Sequence, residues 1–398
     1  MTMIERPFYL NKLKAHKDDE QIKIITGVRR SGKSSLLILW QNYLQKSEPD
    51  SDVIFLNFEH PDTFHLHEGA QLYEYLKSTV TKDRVYFLFD EIQLVNDWQR
   101  YINGLRVAFK CDIYLSGSNS ELLSGEFATY LSGRYVELPI YPLSFREYLD
   151  FRGYRQNESK DPYFRSYLED GGFPLTALTQ NADARTGIMK GIYDSILLRD
   201  VAQRRGVQDT ALLERVVAFL MDNIGHTISA NNIANYLTSS GMNTYVSTIS
   251  SYLSLLEQAY VFYRAERYDI RGKERLKTLG KYYAVDLSLR RHVLGKNDID
   301  RGSQIENLVY IRLRQQGYTV FVGKYDNLEI DFVCFQNRTV KYVQVCEQLP
   351  PDSDRETNNL LKIRDNYDRY VVSMNSLDAG IRDGIDVIHI YDFLLNDL

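Results

Sequence analysis

Cysteine is scarce in this chain. Three residues among 398, Cys111, Cys334 and Cys346, are odd in number and lack metal-ligand spacing. That excludes a disulfide framework and fits buried or inert thiols in a reducing compartment. Long apolar runs are missing too. The opening MTMIERPFYLNKLK holds no stretch of signal-peptide length and no run approaches a membrane span, so a cytoplasmic protein is expected. There is no excess of positive charge either, since 48 Lys and Arg stand against 53 Asp and Glu for a formal net charge of −5. A protein coated in basic residues is excluded, and contact with nucleic acid would need a local patch. Internal repeats and low-complexity tracts are absent. What remains is an ordinary soluble composition, 44% hydrophobic and 25% charged, with length for roughly two to four domains.

The stretch that is present and informative is QIKIITGVRRSGKSSLLILW, Gln21 to Trp40. Ile22, Ile24 and Ile25 read as a buried strand that breaks at Gly27, and a leucine-rich helix starts near Lys33. Between them lies G-x-x-x-x-G-K-S, Gly27 to Ser34. Glycines at both ends let backbone N–H groups approach an anion, and the helix adds its positive N-terminal end. Gly27, Arg30, Ser31, Gly32, Lys33, Ser34 and Ser35 are therefore the candidate ligands of a nucleoside triphosphate. Lys33 supplies a point charge for the β- and γ-phosphates, and the Ser34 hydroxyl can ligate Mg²⁺.

Further apolar runs follow in strand–helix alternation. Asp52–Asn57 is a second expected strand, Gln71–Thr79 a helix, and Arg84–Glu91 a third strand ending in Asp90-Glu91. An acid at the carboxyl end of a buried strand beside a phosphate loop stands where open α/β sheets hold ligands. Asp90 is expected to hold Mg²⁺ and Glu91 to act as general base toward water. Cys111–Ser116 is a fourth strand, followed by Gly117-Ser118-Asn119. Asn119 either touches the γ-phosphate or belongs to a polar turn capping the helix near Glu121. Arg134, just before a fifth strand at Tyr135–Leu138, either reaches a neighbouring subunit's γ-phosphate in a homo-oligomer or is a solvated surface residue. Five such strands imply an α/β, mostly parallel sheet.

GVRRSGKSS, LFDEIQ, LSGSNSELL, LSGRYVELPIYPLSFREYL and GGFP together resemble the prokaryotic AAA-type ATPases fused to a C-terminal domain of unknown function. The resemblance runs over essentially the whole chain. It implies an ATP- and Mg²⁺-dependent hydrolase, with the phosphate role at Lys33, the metal role at Ser34 and Asp90, and the base at Glu91. It also matches Asn57 to a polar partner that restrains the catalytic glutamate.

Four segments are expected: a P-loop core over 1–142, a helical lid over 143–205, a winged helix-turn-helix over 206–290, and a restriction-endonuclease-like α/β domain over 291–398. In the lid, Ser144 should cap a helix, Gly171–Pro174 interrupts the pattern, and Arg199 faces either the phosphates or an ion pair. The third helix of the winged segment, where a DNA reader keeps its base contacts, lies within 229–260, which hold no Lys or Arg. Basic residues sit in the expected wing instead, at Arg264, Arg267, Arg271, Lys273, Arg275, Lys277 and Lys281. They suit sequence-indifferent DNA contact, or a solvated wing on a protein-docking module. In the last segment, Glu306 on a helix and Asp331 on a strand follow the order of metal-dependent PD-(D/E)xK nucleases. Gln344 and Cys346 replace the expected acid and lysine, while Lys341 and Glu347 point to the other face. No cleavage is expected there, because the site has lost one anionic ligand and holds no ammonium to activate water. An active nuclease is the remaining alternative.

Overall fold

Side-chain alternation decides how the first strands are used, even where the run is apolar throughout. In order come α1 (Pro7–Ala15), β1 (Ile22–Thr26), α2 (Lys33–Ser47), β2 (Asp52–Asn57), α3 (Gly69–Thr79), β3 (Arg84–Asp90), α4 (Trp98–Ala108), β4 (Lys110–Ser116) and β5 (Tyr135–Pro139). The strands form one sheet in the order β2-β3-β4-β1-β5, with every ladder parallel. Val85, Phe87 and Phe89 of β3 pack with Leu72, Leu76, Trp98, Ile102 and Leu105 of α3 and α4. Tyr86 and Leu88 face the other way, toward Leu13, Leu36, Leu37 and Trp40 of α1 and α2. A sheet covered on both faces explains why its strands read as unbroken apolar runs. Each wholly buried Leu or Phe contributes about 1.5–3 kcal/mol. Helices α1 and α4 go beyond the expected elements; α1 is short, and the N-cap of α4, Asp97, makes no side-chain cap to announce it.

The computed structural model describes residues 3–118, 133–203, 207, 209–295, 300–349 and 355–398. It divides into two units, Met1–Pro142 with Gln258–Tyr260, and Leu143–Glu257 with Val261–Leu398. Asn119 lies outside the described residues, as does the Lys277 side chain.

The second unit begins with helices: α5 (Phe145–Phe151), α6 (Asp161–Asp170), α7 (Pro174–Leu178), α8 (Ala182–Asp194) and a wide, π-type turn over Ser195–Gln203. Ser144 caps α5 in a reciprocal capping box with Glu147, as its sequence signals. Arg199 is exposed on the π-type segment. Next come α9 (Thr210–Asp222), β6 (Thr227–Ile228), α10 (Ala230–Ser239), α11 (Val246–Gln258), β7 (Phe262–Asp269), β8 (Glu274–Ala284), α12 (Leu287–Leu294) and α13 (Arg301–Gln315). The chain ends with β9 (Thr319–Tyr325), β10 (Leu328–Gln336), β11 (Thr339–Cys346), α14 (Arg355–Leu361), β12 (Asp368–Ser373), β13 (Gly380–Arg382), β14 (Ile385–His389) and α15 (Ile390–Leu395).

Here the expected wing needs correction. The sequence pattern of the wing reads as strands Tyr260–Arg267 and Lys281–Val285 around a loop, IRGKERLKTLG, but most of that stretch is strand, and only Ile270–Lys273 separates β7 from β8. A register shift at Glu266/Arg267 lets β8 carry extra residues, which conceals the pairing from a period-two pattern. The hairpin does not stand alone either. Its β7 pairs with β9 in parallel, and one nine-stranded sheet runs β13-β14-β12-β11-β10-β9-β7-β8-β6.

The Gly-Gly of GGFP is explained within this unit. Gly171 has φ of +71°, and a Cβ there would overlap the Asp286 carboxylate. Gly172 donates its N–H to Asp286 Oδ2 at 2.6 Å. Ser288 donates to the same carboxylate through both its N–H, at 2.9 Å, and its hydroxyl.

Candidate nucleotide site

The phosphate loop is built from backbone that few side chains tolerate. Gly27 has φ of +137°, and a Cβ there would overlap the Ile140 carbonyl oxygen. Arg30 is left-handed at φ +67°, and Gly32, also left-handed, is the N-cap of α2. Non-glycine residues in that region store about 1–3 kcal/mol each and cluster at ligand sites. Ser31 is fully buried, Lys33 is buried, Ser34 is half-buried, and Arg30 and Ser35 are exposed. The Lys33 ammonium donates to the carbonyls of Gly27 at 2.9 Å and Val28 at 3.0 Å.

Arg6 braces the loop from beneath. It donates to the carbonyl oxygens of Ser31 at 2.9 Å and Tyr141 at 3.0 Å, while its guanidinium lies over the Tyr9 ring. Arg29 pairs with Glu59 at 3.1 Å. Neither contact is legible in the sequence, because each joins residues 25 or more positions apart.

Asp90 and Glu91 stand at the end of β3. The Ser116 hydroxyl, at the end of neighbouring β4, donates to Asp90 Oδ1. Among the described residues, Asp90 Oδ2 is buried without a hydrogen-bond partner, as are the hydroxyls of Ser31 and Ser118. Glu91 has left-handed backbone, φ +55°, and accepts a hydrogen bond from Gln93 Nε2. Burial pushes the Glu91 carboxyl above its ordinary range; the Lys33 ammonium opposes that shift and Asp90 adds to it. The loop lysine and the strand-end acids therefore share one electrostatic environment. Their unsatisfied buried oxygens suit a polar, cationic ligand, because orphaned groups of this kind are rare in folded proteins. Ser34 and Asp90 supply hard oxygen donors appropriate to Mg²⁺.

Asn57 and Arg134 are placed as follows. Asn57 Oδ1 accepts the Glu59 N–H at 2.9 Å and so caps its own turn, while the amide that holds Glu91 comes from Gln93. Arg134 is exposed; its carbonyl accepts the Ile22 N–H at 2.9 Å.

In the second unit, Gln344 does stand opposite Asp331. Its Oε1 accepts the Asp331 N–H at 3.3 Å and its Nε2 donates to Glu356 at 2.9 Å. The expectation that no ammonium lies near these acids is overturned by Lys281. This residue is buried rather than displayed on a wing, and its Nζ lies 3.0 Å from Glu306 Oε1. Among the other wing residues, Arg271 pairs with Asp326 at 2.9 Å, Arg275 lies over the Phe321 ring, Arg264 and Arg267 are half-buried, and Lys273 is exposed.

Residues 19–149 match the family model of an AAA domain, and residues 161–300 match a domain of unknown function. An uncharacterized protein of Haemophilus influenzae is 45% identical over 99% of both chains. One from Methanocaldococcus jannaschii is 30% identical over 86% of this chain and 77% of its own. The Walker-type ATPase PABY2304 of Pyrococcus abyssi shares the fold with a TM-score of 0.51 at 14% identity, over 73% of this chain and 96% of that one. The chain belongs to one family with the Haemophilus and Methanocaldococcus proteins, and its residues 19–149 form an AAA-type P-loop ATPase domain.

Proposed function

We propose that the first unit binds ATP and hydrolyses it to ADP and phosphate. The observation that carries this reading is the buried Asp90 Oδ2, without a partner among the described residues, beside a glycine-built loop whose lysine charge acts on Glu91. Loop amides and Lys33 would neutralise the phosphates, with Lys33 giving up its two backbone carbonyls to do so. Mg²⁺, held by Ser34 and Asp90, would add its charge against the β- and γ-phosphate oxygens. Ser116 fixes the Asp90 carboxylate, and Glu91 takes the proton from the attacking water. Its raised affinity for a proton suits that task. Gln93 aims the Glu91 carboxylate, and Arg6 keeps the loop carbonyls turned away from the anion. Asn119 and Arg134 remain proposals for γ-phosphate contact, Arg134 from a neighbouring subunit of a homo-oligomer. Glu91→Gln tests the assignment: it should retain ATP while turnover falls by about 10²–10⁴-fold. Unchanged kcat would remove Glu91 from the role.

In this reading, helices 143–205 serve as a lid and α9–α11 with β6–β8 as a winged helix coupling nucleotide state to DNA. Support for DNA contact comes from the exposed cations Arg271, Lys273 and Arg275 at the hairpin end. A protein-docking switch is the second reading. It is favoured by the absence of Lys and Arg over 229–260 and by Tyr236 and Tyr245, which are 54% and 79% exposed there. ATP turnover with and without duplex, branched and single-stranded DNA separates the two.

A further inference from the structure

The Lys281 side chain is only 5% exposed, yet three carboxylates on two different elements converge on it. Its Nζ is 3.0 Å from Glu306 Oε1 on α13, 2.9 Å from Glu329 Oε1 and 3.9 Å from Asp331 Oδ1, both on β10. Tyr283 donates its hydroxyl to Glu306 Oε1 at 2.6 Å, and the Val345 N–H donates to Asp331 Oδ2 at 2.8 Å. Gln344 spans from the Asp331 N–H to Glu356. Burial alone would lower the lysine's proton affinity, but the carboxylates outweigh it and hold the ammonium charged. Burial and the Glu306 charge press the other way on Asp331, whose carboxyl is raised well above its ordinary range.

We propose that the Lys281 ammonium is a built-in counter-ion occupying the place where Glu306, Glu329 and Asp331 would otherwise gather around a divalent cation. Two physical points support it. Glu306 and Asp331 are largely buried and Glu329 is partly exposed; buried acids of this kind must be neutralised by a cation or by protons, and an ammonium on a strand needs no ligand from solution. Moreover, among the described residues no group of three or more His, Cys, Asp or Glu is arranged to hold a metal ion. The oxygens converge on a nitrogen instead, at hydrogen-bond lengths rather than the roughly 2.0–2.6 Å of Mg²⁺ or Ca²⁺ coordination. The same contact fastens β8 of the hairpin to α13 and β10, so the site's role is structural and metal-free. The inference is independent of the ATPase reading, because none of these residues belongs to the nucleotide site.

The test uses the full chain and terbium, a luminescent stand-in for Ca²⁺ that Tyr283 would sensitise from beside Glu306. Wild type and Asp331→Asn should give the same terbium titration. Lys281→Gln should gain a saturable luminescence signal, and Lys281→Gln/Asp331→Asn should lose it. A wild-type signal abolished by Asp331→Asn would mean that the cluster already takes a metal beside the ammonium, and would overturn the proposal. So would a folded Lys281→Gln that gains nothing. The wild-type comparison requires no change at Lys281, so it decides the matter even where that variant does not fold. Loss of the nucleotide reading would show separately, as unchanged turnover in Glu91→Gln.

Discussion

Glu91 sits on left-handed backbone with its carboxylate held by Gln93, two residues on. A non-glycine residue adopts that conformation only where its surroundings impose it, and here the sharp turn at the end of β3 brings Gln93 back toward Glu91. One charged hydrogen bond is worth about 1.5–3 kcal/mol. If Gln93 aims the base, Gln93→Ala should lower kcat by roughly 10- to 100-fold while ATP affinity holds. A matching loss of affinity would mean that Gln93 merely supports the fold of the site. Lys33→Ala should do the opposite, weakening ATP binding by about 1.5–3 kcal/mol in a titration of nucleotide. Residue types at the loop and at the strand end are readable because fixed spacing in one short segment places them. Gln93 stands in LFDEIQ, a motif that carries the family resemblance without giving this residue a role. What hides its contact is the backbone turn at Glu91, which no side-chain pattern announces. Asn57 shows the converse. It lies at the strand end where the resemblance puts a partner for the glutamate, but a local turn captures its amide.

Elements with one simple period are legible, and those shaped by distant partners are not. Strand β2 has the expected bounds Asp52–Asn57, and β3, β4 and β5 differ by a residue at an end, since a doubly covered sheet writes each strand as an apolar run. The β7–β8 hairpin is legible as two strands but not in its bounds, because its shifted register breaks the alternation. GGFP can be recognised but not explained from sequence, for its reason, Asp286, lies 114 residues away. Gly171→Ala should therefore destabilise the second unit by at least about 1–3 kcal/mol from backbone strain, read as a lower denaturant midpoint. An unchanged midpoint would show that the loop relaxes freely. Asp286 also makes a pH prediction. Burial raises its carboxyl to about 6 from an ordinary 3.8, against the hydrogen bonds from Ser288 and Gly172. The folded state then binds the proton more tightly than the unfolded chain, so this group's contribution is largest below the unfolded value and is lost as pH rises through about 6. Relative to Asp286→Asn, wild type should lose up to about 3 kcal/mol between pH 4 and 7. Parallel stability curves for the two proteins would refute the assignment.

Across the molecule, little in the order of residues announces that the hairpin belongs to the C-terminal sheet. The pairing of β7 with β9 joins strands far apart in the chain, as Arg267 with Val322 shows. The consequence reaches the functional reading. Among the described side chains of the cations expected on a free wing, Lys281 is buried and Arg264 and Arg267 are half-buried, which leaves Arg271, Lys273 and Arg275 exposed at the hairpin end. Three surface cations on a chain of net charge −5 suit phosphate contact that positions DNA without reading its sequence. Neutralising all three should then weaken DNA binding equally across sequences and remove any DNA stimulation of ATP turnover. The decisive quantity is the salt dependence. For every phosphate that the variant no longer neutralises, the slope of log affinity against log salt should fall by roughly 0.9 on duplex DNA. A slope untouched by the triple substitution would remove the hairpin end from DNA contact. Basal turnover indifferent to every DNA form would instead favour protein docking through the exposed Tyr236 and Tyr245 of the stretch 229–260, which has no Lys or Arg.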